Sequence, residues 1–208
     1  ALVNIRDEER LFELIMEGVM DVFPVTRAAL IWKTDRAPYL SVKACKGLDE
    51  DLMKRLKFGV QNGIFSWMRK NGQILFPEKI DAGQDDRADI TKEARFLSAS
   101  ACVPLLCDGK IPGFLAVGNK MNGTPFEDDE LHSLFQLGQH AASAIENALS
   151  YNEASSRKIQ LERIVEHAAT GIVATDAEGK IIAINKTAAE LIGDGPKELA
   201  GNHARALG

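Results

Sequence analysis

Between Leu2 and Phe23 apolar residues recur at spacings near three and four, through Ile5, Leu11, Phe12, Leu14, Ile15, Val19 and Val22, while Asp7, Glu8, Glu9 and Arg10 take the other side. That period predicts an amphipathic helix, ended by Pro24. Ala28-Ala29-Leu30-Ile31-Trp32 and Leu40-Ser41-Val42-Lys43-Ala44-Cys45 read as two strands joined by a polar connection that carries Asp35 and Pro38. A helix from about Glu50 to Leu56 follows. Asn62-Gly63 then breaks the chain before a short helix through Phe65, Trp67 and Met68, which stops at Asn71-Gly72. From Pro77 to Arg95 the residues Asp81, Asp85, Asp86, Arg87, Asp89, Lys92 and Glu93 leave little apolar content, and the stretch reads as a mobile surface loop.

Ser100 to Leu106 and Phe114 to Val117 flank Asp108-Gly109, a dipeptide that suits a two-residue type I′ turn because it tolerates positive φ. This predicts an antiparallel hairpin. Its strands, like the one ending at Trp32, are apolar at successive positions instead of alternating, so both faces of the sheet need cover. Helices or a ligand on each side give a three-layer α+β arrangement with a central antiparallel sheet.

Thr124-Pro125-Phe126-Glu127 reads as a helix start, with Thr124 accepting the Glu127 N–H, Glu127 reaching back and Pro125 in the first turn. Asp128, Asp129 and Glu130 complement the positive helix end. Leu131, Leu134, Gly138, Ala141, Ile145, Ala148 and Asn152 follow a 3,4 alternation, and neither Gly nor Pro intervenes between Gly138 and Gly171. Helical from Phe126 to Ala168, the segment would extend about 64 Å, more than a compact domain needs. Its polar stretch from Ser150 to Lys158 reads as a solvated connector.

Leu161, Ile164, Val165 and Ala168 then start a new apolar face. Gly171 to Thr175 and Lys180 to Ile184 form two further strands around Asp176-Ala177-Glu178-Gly179, and Ala188 to Ile192 forms a short helix stopped by Gly193. About 49 residues after Gln160 are too few for a hairpin and short helices to build their own core, so this second domain is expected to be cut short. The chain also starts at Ala1 inside a helical pattern, without an initiator Met, and is expected to be an excerpt.

Composition narrows the function classes. Hydrophobic residues make up 45% and charged residues 26% of 208, which fits a globular chain and excludes collagen-like or extended disordered classes. Twenty-five basic and 30 acidic residues give a net charge of -5, and no basic stripe interleaved with aromatics marks a nucleic-acid groove. Cys45, Cys102 and Cys107 suit neither a disulfide scaffold nor a CxxC zinc site and point to a reducing cytoplasm. No apolar run approaches the ~20 residues of a membrane span, and no signal-peptide pattern is present.

The order of these signals resembles two sensory families in series. Residues 1–150 resemble a GAF domain: an N-terminal helix, Gly63-Ile64-Phe65-Ser66-Trp67 turning into a helix, Asn71-Gly72 before a short strand, the Val103-Pro104-Leu105 strand, and Phe126-Glu127-Asp128-Asp129-Glu130 opening the final helix. Residues 161–208 resemble the first half of a PAS domain, through Gly171-Ile172-Val173-Ala174-Thr175-Asp176, Asp176-x-x-Gly179 and Asn185-Lys186-x-Ala188-Ala189-Glu190-x-x-Gly193, with 151–160 as a helical connector. The resemblance implies a sensory input module of a bacterial signalling protein such as a histidine kinase or an enhancer-binding activator, cytoplasmic and without catalysis of its own. It implies no haem or flavin, because the later walls of the PAS pocket are missing. It also implies output from downstream domains of the same polypeptide. The seam from Leu131 to Asn152 must face either the sheet or a partner, and a homodimer through the first and last GAF helices is expected.

Candidate chemistry is thin. Asn119-Lys120, Phe126, Asp129 and Glu130 resemble the Asn-Lys, Phe, Asp-Glu signature of cyclic-nucleotide-binding GAF domains, with two residues in place of three between Phe126 and Asp129. A Lys–Asp pair tying the strand end to the final helix is the plainer reading. Val103 after Cys102 stands where bilin-binding members carry His, so Cys102 and Cys107 read as structural thiols. His132, His140, His167 and His203 form no metal set, and no protease, esterase or phosphate-loop motif occurs. Trp32, Trp67 and Phe65 read as core, and Asn185 as a cap where strand passes into helix. An unidentified small molecule, if bound, would meet Asp81, Asp86, Arg87, Arg95, Phe96 and Ser98 under a lid from Pro77 to Ser98. The competing expectation is a cavity plugged by Phe58, Phe65, Ile74 and Phe96, which leaves a ligand-free dimerisation and spacer segment.

Overall fold

The computed structural model describes residues 2–33, 37–80 and 87–192, with side chains from Glu8 onward. The chain divides into two units, Ala1–Leu149 and Ser150–Gly208.

The first unit begins with helix α1 (Leu2–Val22), followed by strands β1 (Ala28–Lys33) and β2 (Tyr39–Lys46), helix α2 (Glu50–Arg55) and strand β3 (Lys57–Gly59). Helix α3 (Gly63–Asn71), a 3-10 turn at Pro77–Lys79 and helix α4 (Arg87–Leu97) lead to the hairpin of β4 (Ala101–Cys107) and β5 (Lys110–Val117). Helix α5 (Asp128–Glu166) starts in this unit. The strands form one sheet in the order β3-β2-β1-β5-β4, with every neighbouring pair antiparallel. At the hairpin tip Asp108 and Gly109 both have positive φ, 48° and 72°, the backbone that a type I′ turn requires.

The continuous apolar strands are explained by two cores, one on each sheet face. Ala28, Leu30 and Trp32 of β1 join Val103, Leu105, Leu115 and Val117 against Phe12, Met16 and Val19 of α1 and Leu134, Ala142 and Ile145 of α5. The intervening Ala29, Ile31, Cys102, Phe114 and Ala116 pack against Met53 of α2, Ile64, Phe65 and Met68 of α3, and Ile90, Ala94 and Leu97 of α4. The result is the three-layer α/β/α arrangement. Gly138 lets α5 approach β4, where a Cβ would lie 3.3 Å from Val103 and 3.5 Å from Leu105.

Two local expectations are corrected. The segment from Pro77 to Arg95 is not a loop throughout: Arg87–Leu97 is helical. Its Ile90, Ala94 and Leu97 fall four and three residues apart and form a narrow buried stripe, which the surrounding charges obscure in the sequence. The start of α5 is not a Thr124 capping box either. Thr124 donates from both its N–H and its hydroxyl to Asn122 Oδ1, at 3.1 and 2.9 Å, and the Glu127 N–H donates to Glu130 Oε2 at 2.8 Å.

The second unit holds the end of α5, strands β6 (Val173–Thr175) and β7 (Ile181–Ile184), and helix α6 (Lys186–Ile192). β6 and β7 pair antiparallel. Asp176 closes their turn by accepting the Lys180 N–H on its carboxylate at 2.7 Å, and Gly179 takes a φ of 84°. Gly193 and His203 lie outside the described residues.

Candidate functional site

The sheet face beneath α3 and α4 is where the sequence places a ligand. α4 turns Ile90, Ala94 and Leu97 inward, which leaves Arg87 and Arg95 exposed on its other side and Phe96 44% exposed. Ser98, with φ 46°, follows the helix and is also exposed. Arg87 and Ser98 therefore stand at opposite ends of α4, and these four residues do not converge on the sheet. Asp81 and Asp86 lie outside the described residues. Phe58 and Phe65 are buried on this face, with Phe58 edge-on to Phe114 at 5.8 Å between ring centroids. Ile74 packs with the opposite core and Phe96 is exposed, so of the four residues expected to fill this face Phe58 and Phe65 lie in its core, with Leu40, Ile64 and Met68. Trp32 is core, tilted against Phe12, while Trp67 is half-buried.

The start of α3 is built with α4. Asn62 provides no cap from its own side chain; it donates to Asp89 at 2.6 Å. The Ile64 N–H is capped by Glu93, one turn further along α4, at 2.8 Å. A carboxylate at a helix N-terminus satisfies an otherwise unpaired N–H and opposes the helix dipole. Gly63 makes room for it, since a Cβ there would overlap the Glu93 carboxylate, and its φ is 71°. No local sequence signal announces this arrangement, because Ile64 and Glu93 are 29 residues apart.

Beyond β5, Lys120 is 8% exposed and its Nζ donates to both Glu130 oxygens, at 2.7 and 2.8 Å, and to the Pro125 carbonyl at 3.4 Å. The carboxylate partner is thus Glu130, not Asp129, which is exposed. Glu130 also accepts from Glu127, and the Lys120 hydrogen bond, followed by that backbone bond, holds its carboxyl below the usual range. Asn119 is exposed, its carbonyl accepting from Thr26, and Phe126 packs at the edge of the α1/α5 core.

In the second unit Asn185 is 1% exposed and fully engaged. Its Oδ1 accepts from Ile172 N at 2.7 Å and Ala188 N at 3.0 Å. Its Nδ2 donates to the carbonyls of Val165 and Thr170, both at 3.0 Å. One side chain thereby ties together the last turn of α5, the first residue before β6 and the N-terminus of α6. Thr187 adds a bond to the Ala168 carbonyl at 2.7 Å.

Cys102 is wholly buried, and desolvation, aided by the Glu93 charge, pushes its thiol far up. Burial first and Glu50 second raise Cys45 too. His132 shares a hydrogen bond with Gln136, and His140 and His167 are exposed. Among the described residues no group of three or more His, Cys, Asp or Glu is placed to hold a metal ion, and no helix is long and apolar enough to cross a membrane.

The comparisons agree with this architecture. A GAF domain model matches residues 5–146 and a PAS fold model matches residues 159–207. The GAF domain/HD domain protein from Geobacter sulfurreducens is 14% identical with a TM-score of 0.55, covering 72% of this chain and 98% of its own. The blue-light absorbing form of the PixJ GAF domain from Thermosynechococcus elongatus is 16% identical with a TM-score of 0.54, covering 77% and 96%. A domain of a two-component sensor histidine kinase protein from Sinorhizobium meliloti 1021 is 16% identical with a TM-score of 0.50, covering 71% and 96%. No curated protein matches the chain. Since the GAF model spans well over half of the 208 residues, the chain belongs to the GAF domain family, and a PAS fold follows its GAF domain.

Proposed function

We propose that this chain is the sensory input of a bacterial, cytoplasmic signal-transduction protein of the histidine kinase type, with no catalytic role of its own. Residues 1–150 serve as the sensing domain, 151–160 as connector and 161–208 as the start of the PAS domain. GAF and PAS domains are sensory, and a sensor histidine kinase stands among the structural neighbours. The observation that carries the reading is α5: it packs Leu134, Ala142 and Ile145 on the sensing sheet and continues as one helix to Glu166, where Asn185 accepts it into the PAS fold.

In this reading the chain works as a homodimer through α1 and α5. Leu14 and Val22 of α1 are 50% and 62% exposed, and Leu131, Leu137 and Leu149 of α5 are only half-buried. Pairing the two helices with a second copy would cover these residues, each fully buried Leu or Val contributing roughly 1.5–3 kcal/mol. A small molecule on the α3/α4 face would shift the balance between two packings of that helix pair. Sedimentation at tens of micromolar tests the dimer, and a monomer throughout would overturn it.

A second reading, an input region whose GAF domain binds no ligand and serves as spacer, is favoured by the aromatic packing of Phe58, Phe65 and Phe114 on that face. Thermal melts with cyclic nucleotides, nucleobases and small aromatic acids separate the two. A ligand present at 100 times its Kd stabilises by about 2.7 kcal/mol, and no shift with any of them assigns the spacer role.

A further inference from the structure

Gly18 lies inside α1, a full turn before its end, and is exposed. Glycine is the poorest helix former after proline, so a helical glycine is explained by what its missing side chain admits. Among the described residues every other glycine has such a cause: either its φ is positive, or a neighbouring atom lies close to where a Cβ would stand. Gly138 of α5 admits Val103 in this way. Gly18 has neither cause. Its backbone is helical, and beyond its own turn no described atom lies within 4 Å of the place its Cβ would take. The missing side chain thus serves nothing within the protomer and leaves a notch on its surface.

The notch is the centre of an apolar patch. At helical spacing Gly18 shares its face with Leu14 and Val22, four residues to either side, and with Ile15 and Leu11, three and seven residues before it. Leu14 and Val22 are 50% and 62% exposed, and Leu11 and Ile15 are half-buried. The patch lies beside the row of Phe12, Met16, Val19 and Phe23 that holds α1 on the sheet. It carries no charge, because the exposed Glu9, Glu13 and Glu17 fall on the other side of the helix. Leu14, Gly18 and Val22 therefore form a ridge along the helix with its middle side chain missing.

We propose that Gly18 is the point at which α1 crosses the α1 of a second copy, backbone against backbone on the two-fold axis of the homodimer. The proposal rests on the reading of the chain as a homodimer through α1 and α5, and it fixes where the two copies come closest. In a two-fold interface a residue on the axis meets its own image, so a missing side chain there is missing twice. Ridges spaced by four residues interlock at a crossing of about −50°, and helix axes that ordinarily pack about 8–10 Å apart take the near end of that range when no side chain stands between them. Leu14 and Val22 then pack against the partner on either side of the crossing. An uncharged patch meets its image without repulsion, whereas the row of Glu9, Glu13 and Glu17 would oppose its own, which selects the Gly18 face for self-pairing.

The test compares the whole chain with its Gly18→Ala, Gly18→Leu and Gly18→Cys variants, each checked by circular dichroism. Sedimentation equilibrium is expected to give Gly18→Leu a dimer dissociation constant about tenfold or more above that of the wild type, with Gly18→Ala in between. In dilute samples, where monomers dominate, the order reverses: both variants should melt above the wild type, since each is a better helix former and meets no obstacle in its own chain. Oxidation should link Gly18→Cys into a covalent dimer, while the wild type, with Cys45, Cys102 and Cys107 alone, and Glu13→Cys on the acidic side stay unlinked. A wild type that is monomeric at every concentration overturns this proposal together with the homodimer reading. A dimer whose dissociation constant is the same in Gly18→Leu overturns the crossing and leaves that reading standing. So does weakening by Gly18→Leu without linking of Gly18→Cys, which would assign the notch to another part of the partner.

Discussion

Lys120, just past β5, and Glu130, in the first turn of α5, form a two-oxygen contact at 2.7 and 2.8 Å that fastens the central sheet to the long helix. Glu130 simultaneously caps the Glu127 N–H, so a single carboxylate fixes both where α5 begins and what it is attached to. Replacing Lys120 by Met is expected to lower the melting temperature and to speed hydrogen exchange in the first turns of α5 more than in β1. Uniform loss of protection across the domain would contradict the role of this contact.

The same carboxylate gives a pH signature. Its pKa is depressed in the folded state, by the Lys120 hydrogen bond first. The stabilisation is therefore present above the ordinary carboxylate value of about 4.3 and is lost as pH falls through the lower, folded-state value. Melts of the wild type and Glu130→Gln should differ by a constant amount well above the ordinary carboxylate value and converge only as pH falls through the lower, folded-state value. A difference that does not change with pH would show that the carboxylate charge contributes nothing.

Gly63 and Gly72 bracket α3 with positive φ, 71° and 64°, but only Gly63 faces an obstacle, the Glu93 carboxylate. Gly72→Ala is expected to cost about 1 kcal/mol, the left-handed penalty alone. Gly63→Ala adds displacement of Glu93 and loss of the Ile64 cap, about 2–4 kcal/mol in all. Urea denaturation of both variants measures the difference. Equal costs would mean that Glu93 moves aside freely.

What could be read from the sequence depended on how local the cause was. The β4–β5 hairpin was legible because Asp108-Gly109 dictates its own turn, and the helix layers were legible because Ala28 to Trp32 has no polar side. α4 was not, because its buried stripe is three residues wide among Arg87, Asp89, Lys92, Glu93 and Arg95. β3 was not, because three residues carry no period. The Lys120 partner was legible as a carboxylate near the start of α5 but not as Glu130 instead of Asp129, since that choice is set by the rotation at which the helix leaves its first turn. The Glu93 cap joins residues 29 apart and follows only from the packing of α3 on α4.

Asn185 uses both donors and both acceptors, so its two functions can be separated by substitution. Asn185→Ala leaves two N–H and two C=O groups without their partner and is expected to destabilise the β6–β7 hairpin by about 2–4 kcal/mol. Asn185→Asp keeps acceptors for Ile172 and Ala188 but sets oxygen against the Val165 and Thr170 carbonyls. Exchange should then remain slow at Ala188 while the end of α5 frays. If the Asp variant protects the end of α5 as well as the wild type does, the donor half of the side chain is not what holds the helix.

The three thiols offer a last measurement, because they differ in burial while sharing one chemistry. Cys102 lies on the sheet face beneath α4, fully buried, with desolvation and then Glu93 opposing the thiolate that alkylation requires. Cys107 and Cys45 are half-buried, and burial and Glu50 raise the latter. Native alkylation near pH 8 is expected to modify Cys107 first and Cys45 more slowly. Cys102 should react only through unfolding, so its rate should climb with urea as steeply as global unfolding does. A Cys102 rate that is independent of urea would instead reveal a local opening of α4 from the sheet, and Glu93→Gln, which weakens the Ile64 cap, should then accelerate it.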